Sequence, residues 1–283
     1  MTSERCFFAS DLHGREDRYV KLFAAIESEA PDAVLIGGDL FPGVASGSAD
    51  RPFLEMLAGE LERLRRALGE RYPRVLAIPG NDDPASAVEE LCDPDLARNL
   101  ELVHGRRVAL GARAVFGYAC VPPSPFALKD FERYDVSRHV DPGAVSPEEG
   151  FRSVPADECE IRYGTIAGDL DVLVGDASLD DALLLLHVPA YRTRLDRAAL
   201  DGRMIDGVPL DLNVGSIAVR RLIEERQPLL TLHGHVHESA RLTGSWRDAI
   251  GRTRMFSAAH DGPELAIVRF DLADLDGATR ELL

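Results

Sequence analysis

The chain has 283 residues and a formal net charge of −16, with 45% hydrophobic and 28% charged residues. That balance is ordinary for a globular protein, and the acidity argues against a nonspecific nucleic-acid binder, which needs a basic stripe. No window approaches the ~18 uninterrupted apolar residues of a membrane span. The charged start runs straight into a strand without a secretory apolar stretch, so the expectation is a cytoplasmic protein.

The first half alternates strand and helix. After a strand at 5–10, Tyr19, Leu22, Phe23 and Ile26 fall at i, i+3, i+4, i+7, one face of a helix that ends before Pro31. A strand over 33–37 follows, then a helix over about 52–70 carrying Phe53, Leu54, Leu57, Leu61, Leu64 and Leu68. A strand over 74–78 and a short helix near 85–91 complete a βαβαβ order, which predicts a parallel sheet with right-handed crossovers.

From about 100 the strands shorten. ELVHG, RVALG and RAVFGYA predict a second sheet packed on the first, to which SARLTG, TRMFSAA and LAIVRFDL near the C-terminus add antiparallel strands. Between these groups, residues 121–151 are Pro-rich and aperiodic, a length of irregular chain that points to an active-site flank. Residues 157–175 predict one helix, and Ser216 is placed to cap a helix that ends before Pro228. No repeat or linker divides the chain, so one domain over 1–283 is expected. The four cysteines have no CxxC spacing and read as free thiols.

Five apolar runs stop at a metal-competent residue. CFFAS leads into Asp11-Leu12-His13, AVLIGG into Asp39, RVLAIPG into Asn81, LLLL into His187, and PLLTL into His233-Gly234-His235-Val236-His237. Ligands of open α/β sheets sit beyond the carboxyl ends of the strands, so oxygen and imidazole donors converge on one edge from five distant segments. Such a mixed set suits Mn, Fe or Zn ions and not a Cys-based structural zinc. Gly38, Gly80 and Gly234 let the backbone turn sharply there.

The ordered set Asp11-x-His13, Gly37-Gly38-Asp39, Gly80-Asn81-Asp82, His187 and Gly234-His235-x-His237 resembles the calcineurin-like metallophosphoesterase family over about residues 5–240. The resemblance implies a four-layer α/β/β/α sandwich with two mixed sheets and two divalent ions at the strand carboxyl ends. It implies that Asp11, His13 and His237 bind the first ion, that Asp39 bridges, and that Asn81, His187 and His235 complete the second. His187 then also serves catalysis and Asn81 also meets substrate. A hydroxide shared by the ions would attack a small-molecule phosphodiester, nucleotide or activated phosphomonoester in line. A nuclease, and a non-catalytic scaffold of the same fold, are the alternatives.

One position departs from the family pattern, where Gly-Asn usually continues with His and then Glu or Asp. Here it reads Asp82-Asp83. Either Asp82 is protonated and serves as general acid, or leaving-group protonation is absent or comes from elsewhere; the plainer reading has Asp82 orienting a metal-binding His or capping the next helix. Asp83 reads as a cap or a solvated turn residue. Arg15 is a candidate phosphate contact that can equally pair with Glu16 or Asp17. Lys129, Arg133, Tyr134 and His139 in the irregular stretch are candidates for selecting the leaving group. His233 reads as a packing or supporting residue, and His104 and His260 match no motif.

Overall fold

Phe7 and Phe8 face opposite sides of the first strand, and the same alternation along its neighbours sorts the interior into layers. A computed structural model describes residues 4–43 and 51–283; residues 1–3 of the charged start, and 44–50, lie outside the described residues. The first half runs β1 (Arg5–Ala9), α1 (Glu16–Glu29), β2 (Ala33–Gly37), α2 (Arg51–Leu68), β3 (Arg74–Ile78), α3 (Ala85–Glu90), α4 (Pro94–Ala97), β4 (Glu101–Leu102), β5 (Arg106–Leu110) and β6 (Arg113–Tyr118). The second half runs α5 (Glu158–Tyr163), α6 (Ile166–Val174), β7 (Leu183–Leu186), β8 (Met204–Ile205), β9 (Val208–Pro209), α7 (Ile217–Arg226), β10 (Leu230–His233), α8 (Ser239–Thr243), β11 (Arg247–Ile250), β12 (Thr253–Ser257), β13 (Ala266–Asp271) and β14 (Asp274–Leu282).

Two mixed six-stranded sheets result, ordered β14-β13-β1-β2-β3-β4 and β11-β12-β10-β7-β6-β5. Within each, four neighbouring strands are parallel: β1, β2, β3 and β4 in the first, and β12, β10, β7 and β6 in the second. Phe8, Leu35, Leu76 and Ile78 join one apolar cluster with β6, β7, β10 and β12 and with Ile166, Leu170, Val219 and Ile223 of α6 and α7. Phe7, Val34, Ile36, Val75 and Ala77 join the other, against Tyr19, Leu22, Phe23, Leu57, Leu61 and Leu64 of α1 and α2. The layers are therefore helix, sheet, sheet, helix, an α/β sandwich. Strands buried on both faces need continuous apolar runs, which is why LLLL at β7 is buried at every position.

Several expected strands take other places. ELVHG forms β4, which pairs parallel to β3 in the first sheet. LAIVRFDL supplies β13, antiparallel as expected but to β1 in that same first sheet, while TRMFSAA supplies β12 in the second sheet, antiparallel to β11 as expected and parallel to β10. SARLTG is the short helix α8, closed by Gly244 in the left-handed region (φ 72). The helix expected over 157–175 is two: Gly164 ends α5, and Thr165 Oγ1 accepts from Gly168 N (3.1 Å) to start α6. At α7 the expected cap is present, with Ser216 Oγ accepting from Val219 N at 3.1 Å. Among the described residues no helix is long and apolar enough to cross a membrane. All four cysteines are free.

Candidate metal centre

Beyond its last ladder bond, the chain leaving β1 continues beside the chain leaving β2. Asp11 N donates to Gly38 O (2.9 Å), His13 N to Asp39 O (2.7 Å) and Gly14 N to Leu40 O (2.9 Å). Asp11, His13 and Asp39 hold these bonds with φ of 57, 50 and 52°, and His235 after β10 has φ 71°. Each such non-glycine conformation costs roughly 1–3 kcal/mol and persists only where the surroundings impose it. Half of the eight non-glycine residues with positive φ, among those described, are therefore residues singled out from sequence as ligands.

These turns bring the side chains together. Single donor atoms of Asp11, His13, Asp39 and His237 lie within 4.8 Å of one another. His13 Nε2 is 3.2 Å from His237 Nε2, His237 Nε2 is 3.1 Å from Asp11 Oδ1, and His13 Nε2 is 3.7 Å from Asp39 Oδ2. On the other side of Asp39, its Oδ2 is 3.4 Å from His187 Nε2, which is 3.2 Å from Asn81 Oδ1. The His235 ring stands edge-on to His187 with centroids 5.2 Å apart. Asp39 thus lies between two donor groups, Asp11, His13 and His237 on one side and Asn81, His187 and His235 on the other.

Three observations fit divalent ions to this arrangement. Asp11 Oδ2 is buried with no hydrogen-bond partner, although a buried carboxylate oxygen is strongly destabilised unless something compensates it. Donor atoms about 2.1 Å from one ion stand roughly 3.0–3.4 Å from each other, close to the separations above. The space is also kept clear of Cβ atoms: one at Gly80 would sit 2.2 Å from Asp39 Oδ1 and 2.7 Å from His187 Nε2, and one at Gly234 would sit 2.6 Å from Asp11 Oδ2.

The electrostatics agree. Burial opposes the charge on Asp11, but the hydrogen bond from His237 and the charges of His237, His187 and His13 hold it well below the carboxylate range. Asp39 is likewise lowered, against burial, by His187 and His13. Burial opposes the imidazolium of His13, yet the hydrogen bond to Asp82 and the charges of Asp39 and Asp11 raise it to about 9; His187 is raised to about 9, against burial, chiefly by Asp39. Protons on these rings balance the buried carboxylates, and divalent ions compete for the same lone pairs. His235, by contrast, is pushed down to about 3 by burial and by the charge of His187, leaving a neutral imidazole. His187 Nδ1 donates to Gly37 O at 2.7 Å, which turns Nε2 toward Asp39 and Asn81.

The remaining candidates fall elsewhere or bond otherwise. Asp82, at the mouth, places Oδ2 3.3 Å from His13 Nδ1, and it does not cap α3, whose first amide, Ala85 N, donates to Asp130 at 2.8 Å. Asp83 is fully buried, not a solvated turn residue. It accepts from Leu40 N (3.0 Å), Phe41 N (2.9 Å) and Gly80 N (2.8 Å), tying the loop after β2 to the loop after β3. Arg15 pairs with Asp17 (3.0 Å) at the surface. Lys129 is buried against Glu132 and donates to Ser124 O (3.0 Å). Arg133 pairs with Glu160 (2.9 Å) and Asp169 (3.0 Å), and Tyr134 donates to Glu148 (2.9 Å). These three hold the irregular stretch to itself and to α5 and α6. His139 is exposed beside Asp141, and His260 pairs with Glu264. His233 is fully buried, donating from Nδ1 to Val188 O (2.9 Å) and meeting Thr231 Oγ1 (2.7 Å) at Nε2. One supporting residue carried no sequence signal: Arg18, which is buried and donates to Asp11 O and to Gly262 O (2.7 Å).

The profile of the calcineurin-like phosphoesterases matches residues 5–239. No match is found among curated protein sequences. Among solved structures, TT1561 of Thermus thermophilus is similar with a TM-score of 0.57 and 15% identity, covering 99% of each chain. The phosphopantetheinyl hydrolase of Mycobacterium tuberculosis is similar with a TM-score of 0.50 and 12% identity, over 91% of this chain and 90% of that one. At these identities the likeness is one of fold.

Proposed function

The chain belongs to the calcineurin-like phosphoesterase family, and from that premise we propose that it hydrolyses a small-molecule phosphoester: a phosphodiester, a nucleotide or an activated phosphomonoester. The observation that carries this reading is the buried Asp11 carboxylate with an unpartnered Oδ2 amid the donors of His13, Asp39 and His237. In this reading Asp11, His13 and His237 would hold one divalent ion and Asn81, His187 and His235 another, and Asp39, which stands between the two groups, would serve both. Mn, Fe or Zn suits the donor types. Such ions, when bound, supply Lewis acidity toward phosphoryl oxygens and activate water for in-line displacement.

The chain's own residues do the rest. His187, held by Gly37 O, offers Nε2 in a fixed direction. Asn81 contributes a neutral oxygen, so its side-chain amide remains a donor for a substrate oxygen. Two dications against two carboxylates leave the site positive, which lets an acidic protein receive a phosphate. A carboxylate at 82, not a cation, faces the mouth, and this favours esters whose leaving group departs as a stable anion.

The test is hydrolysis of bis-p-nitrophenyl phosphate by metal-free protein with added Mn²⁺, compared with a dialkyl phosphate. We expect Mn²⁺-dependent turnover, slower for the dialkyl ester, and a loss of at least about 100-fold in Asp39→Ala and in His235→Ala. Turnover that survives both substitutions would place the chemistry elsewhere.

A further inference from the structure

We propose that Asp82 is a positioning residue for His13, holding that ring as the Nδ1–H tautomer with Nε2 turned into the metal centre. The proposal rests on the metal-centre reading above and adds to it a residue outside the seven ligands. His187 has a backbone carbonyl, Gly37 O, on its Nδ1. His13 has none among the described residues; its Nδ1 faces Asp82 Oδ2 at 3.3 Å. Its other contacts, with His237 and Asp39, are all made by Nε2 on the inner side.

Residue 82 grips two ligands at once. Its carboxylate meets His13, while its backbone N–H donates to Asp39 Oδ1 at 3.0 Å. Gly43 passes close on one side of the carboxylate, where a Cβ would lie 2.8 Å from Asp82 Oδ2. A carboxylate that accepts from one ring nitrogen fixes the tautomer and makes the opposite nitrogen a better donor to a metal. This matters more for His13 than for a ligand on a strand, because His13 sits in a loop at φ 50° with its side chain 24% exposed. With Oδ2 turned to His13 Nδ1, the geometry assigns Asp82 to ring orientation.

The experiment is calorimetric titration of Mn²⁺ into metal-free wild-type, Asp82→Asn and Asp82→Ala protein, with ¹⁵N NMR of the His13 ring in the Zn²⁺-loaded proteins, assigned against His13→Gln. We expect Asp82→Ala to weaken Mn²⁺ binding by about 10–100-fold, and Asp82→Asn, whose oxygen still accepts from Nδ1–H, by no more than about 3-fold. The ring should read as Nδ1–H in wild type and Asp82→Asn and as a tautomer mixture in Asp82→Ala. Unchanged affinity or an unchanged ring in Asp82→Ala overturns the proposal. So does an equal loss in both variants that follows unfolding of the metal-free protein. Wild-type protein that binds no Mn²⁺ removes the metal centre and the proposal together, an outcome distinct from either of these.

Discussion

At the scale of single residues, burial sets the charge of a group only until a partner outweighs it. Asp11 and Asp39 stay ionised where water does not reach because imidazoles face them. His104 shows the opposite balance. Its ring stands against Tyr118 and Phe131, its Nδ1 accepts from Ala119 N (3.0 Å), and burial pushes its pKa down to about 4. The folded ring stays neutral while the unfolded chain takes up a proton at the usual 6.5, so stability is lost as pH falls from 6.5 toward about 4. The expected loss is about 1–3 kcal/mol, the lower figure allowing for the ring's partly solvated edge. His104→Asn keeps an acceptor near Ala119 N and cannot titrate. Urea unfolding at about pH 7.5 and about pH 5 should therefore show a smaller pH effect in the variant. An equal effect in both proteins would mean that His104 is not the group responsible.

At the scale of elements, the irregular stretch 121–151 has a structural task that composition did not reveal. Asp130 accepts from Ala85 N at the start of α3, and Asp135 accepts from Ser216 Oγ (2.6 Å), Ile217 N (2.7 Å) and Ala218 N (3.2 Å) at the start of α7. Helix starts leave amide donors without partners, and here a loop distant in sequence satisfies them. Asp135→Ala should lower stability by about 1–3 kcal/mol, with Asp135→Asn losing less, because buried donors are left unpaired. The denaturation midpoint measures it; a midpoint unchanged in Asp135→Ala would show that Ser216 alone caps α7. The same long-range logic explains the strands that sequence misplaced. Periodicity reports which face of a strand is buried, but β4 and β13 were assigned to the wrong sheet because both sheets offer an apolar face and an open edge.

At the scale of the whole molecule, the parallel strands of two sheets deliver their carboxyl ends to one edge, and the candidate ligands arrive from five segments spread over residues 11–237. Ions bound only by the folded chain stabilise it by mass action, by about 2.7 kcal/mol at a hundredfold excess over Kd. For a chain of 283 residues that corresponds to roughly 4–5 °C in Tm. Adding Mn²⁺ to metal-free protein should raise Tm by that amount and a chelator should reverse it. A Tm indifferent to both would mean that the assembled donors do not take up Mn²⁺.

What the sequence determined by itself follows from local chemistry. Apolar runs specify buried strands, and the donor that ends each run is covalently fixed to that strand's end. The α/β class, the order of β1, β2 and β3, the Ser216 cap and the set of candidate ligands were therefore legible before any contact was known. Tertiary structure decided whatever depends on partners far along the chain. It placed β13 beside β1, made Asp83 a buried acceptor for two loops, used Lys129, Arg133 and Tyr134 in structural pairs, and set Asp82 against His13. A side chain's type states what bonds it can make. Only the packing of the two sheets determines which groups are close enough to make them.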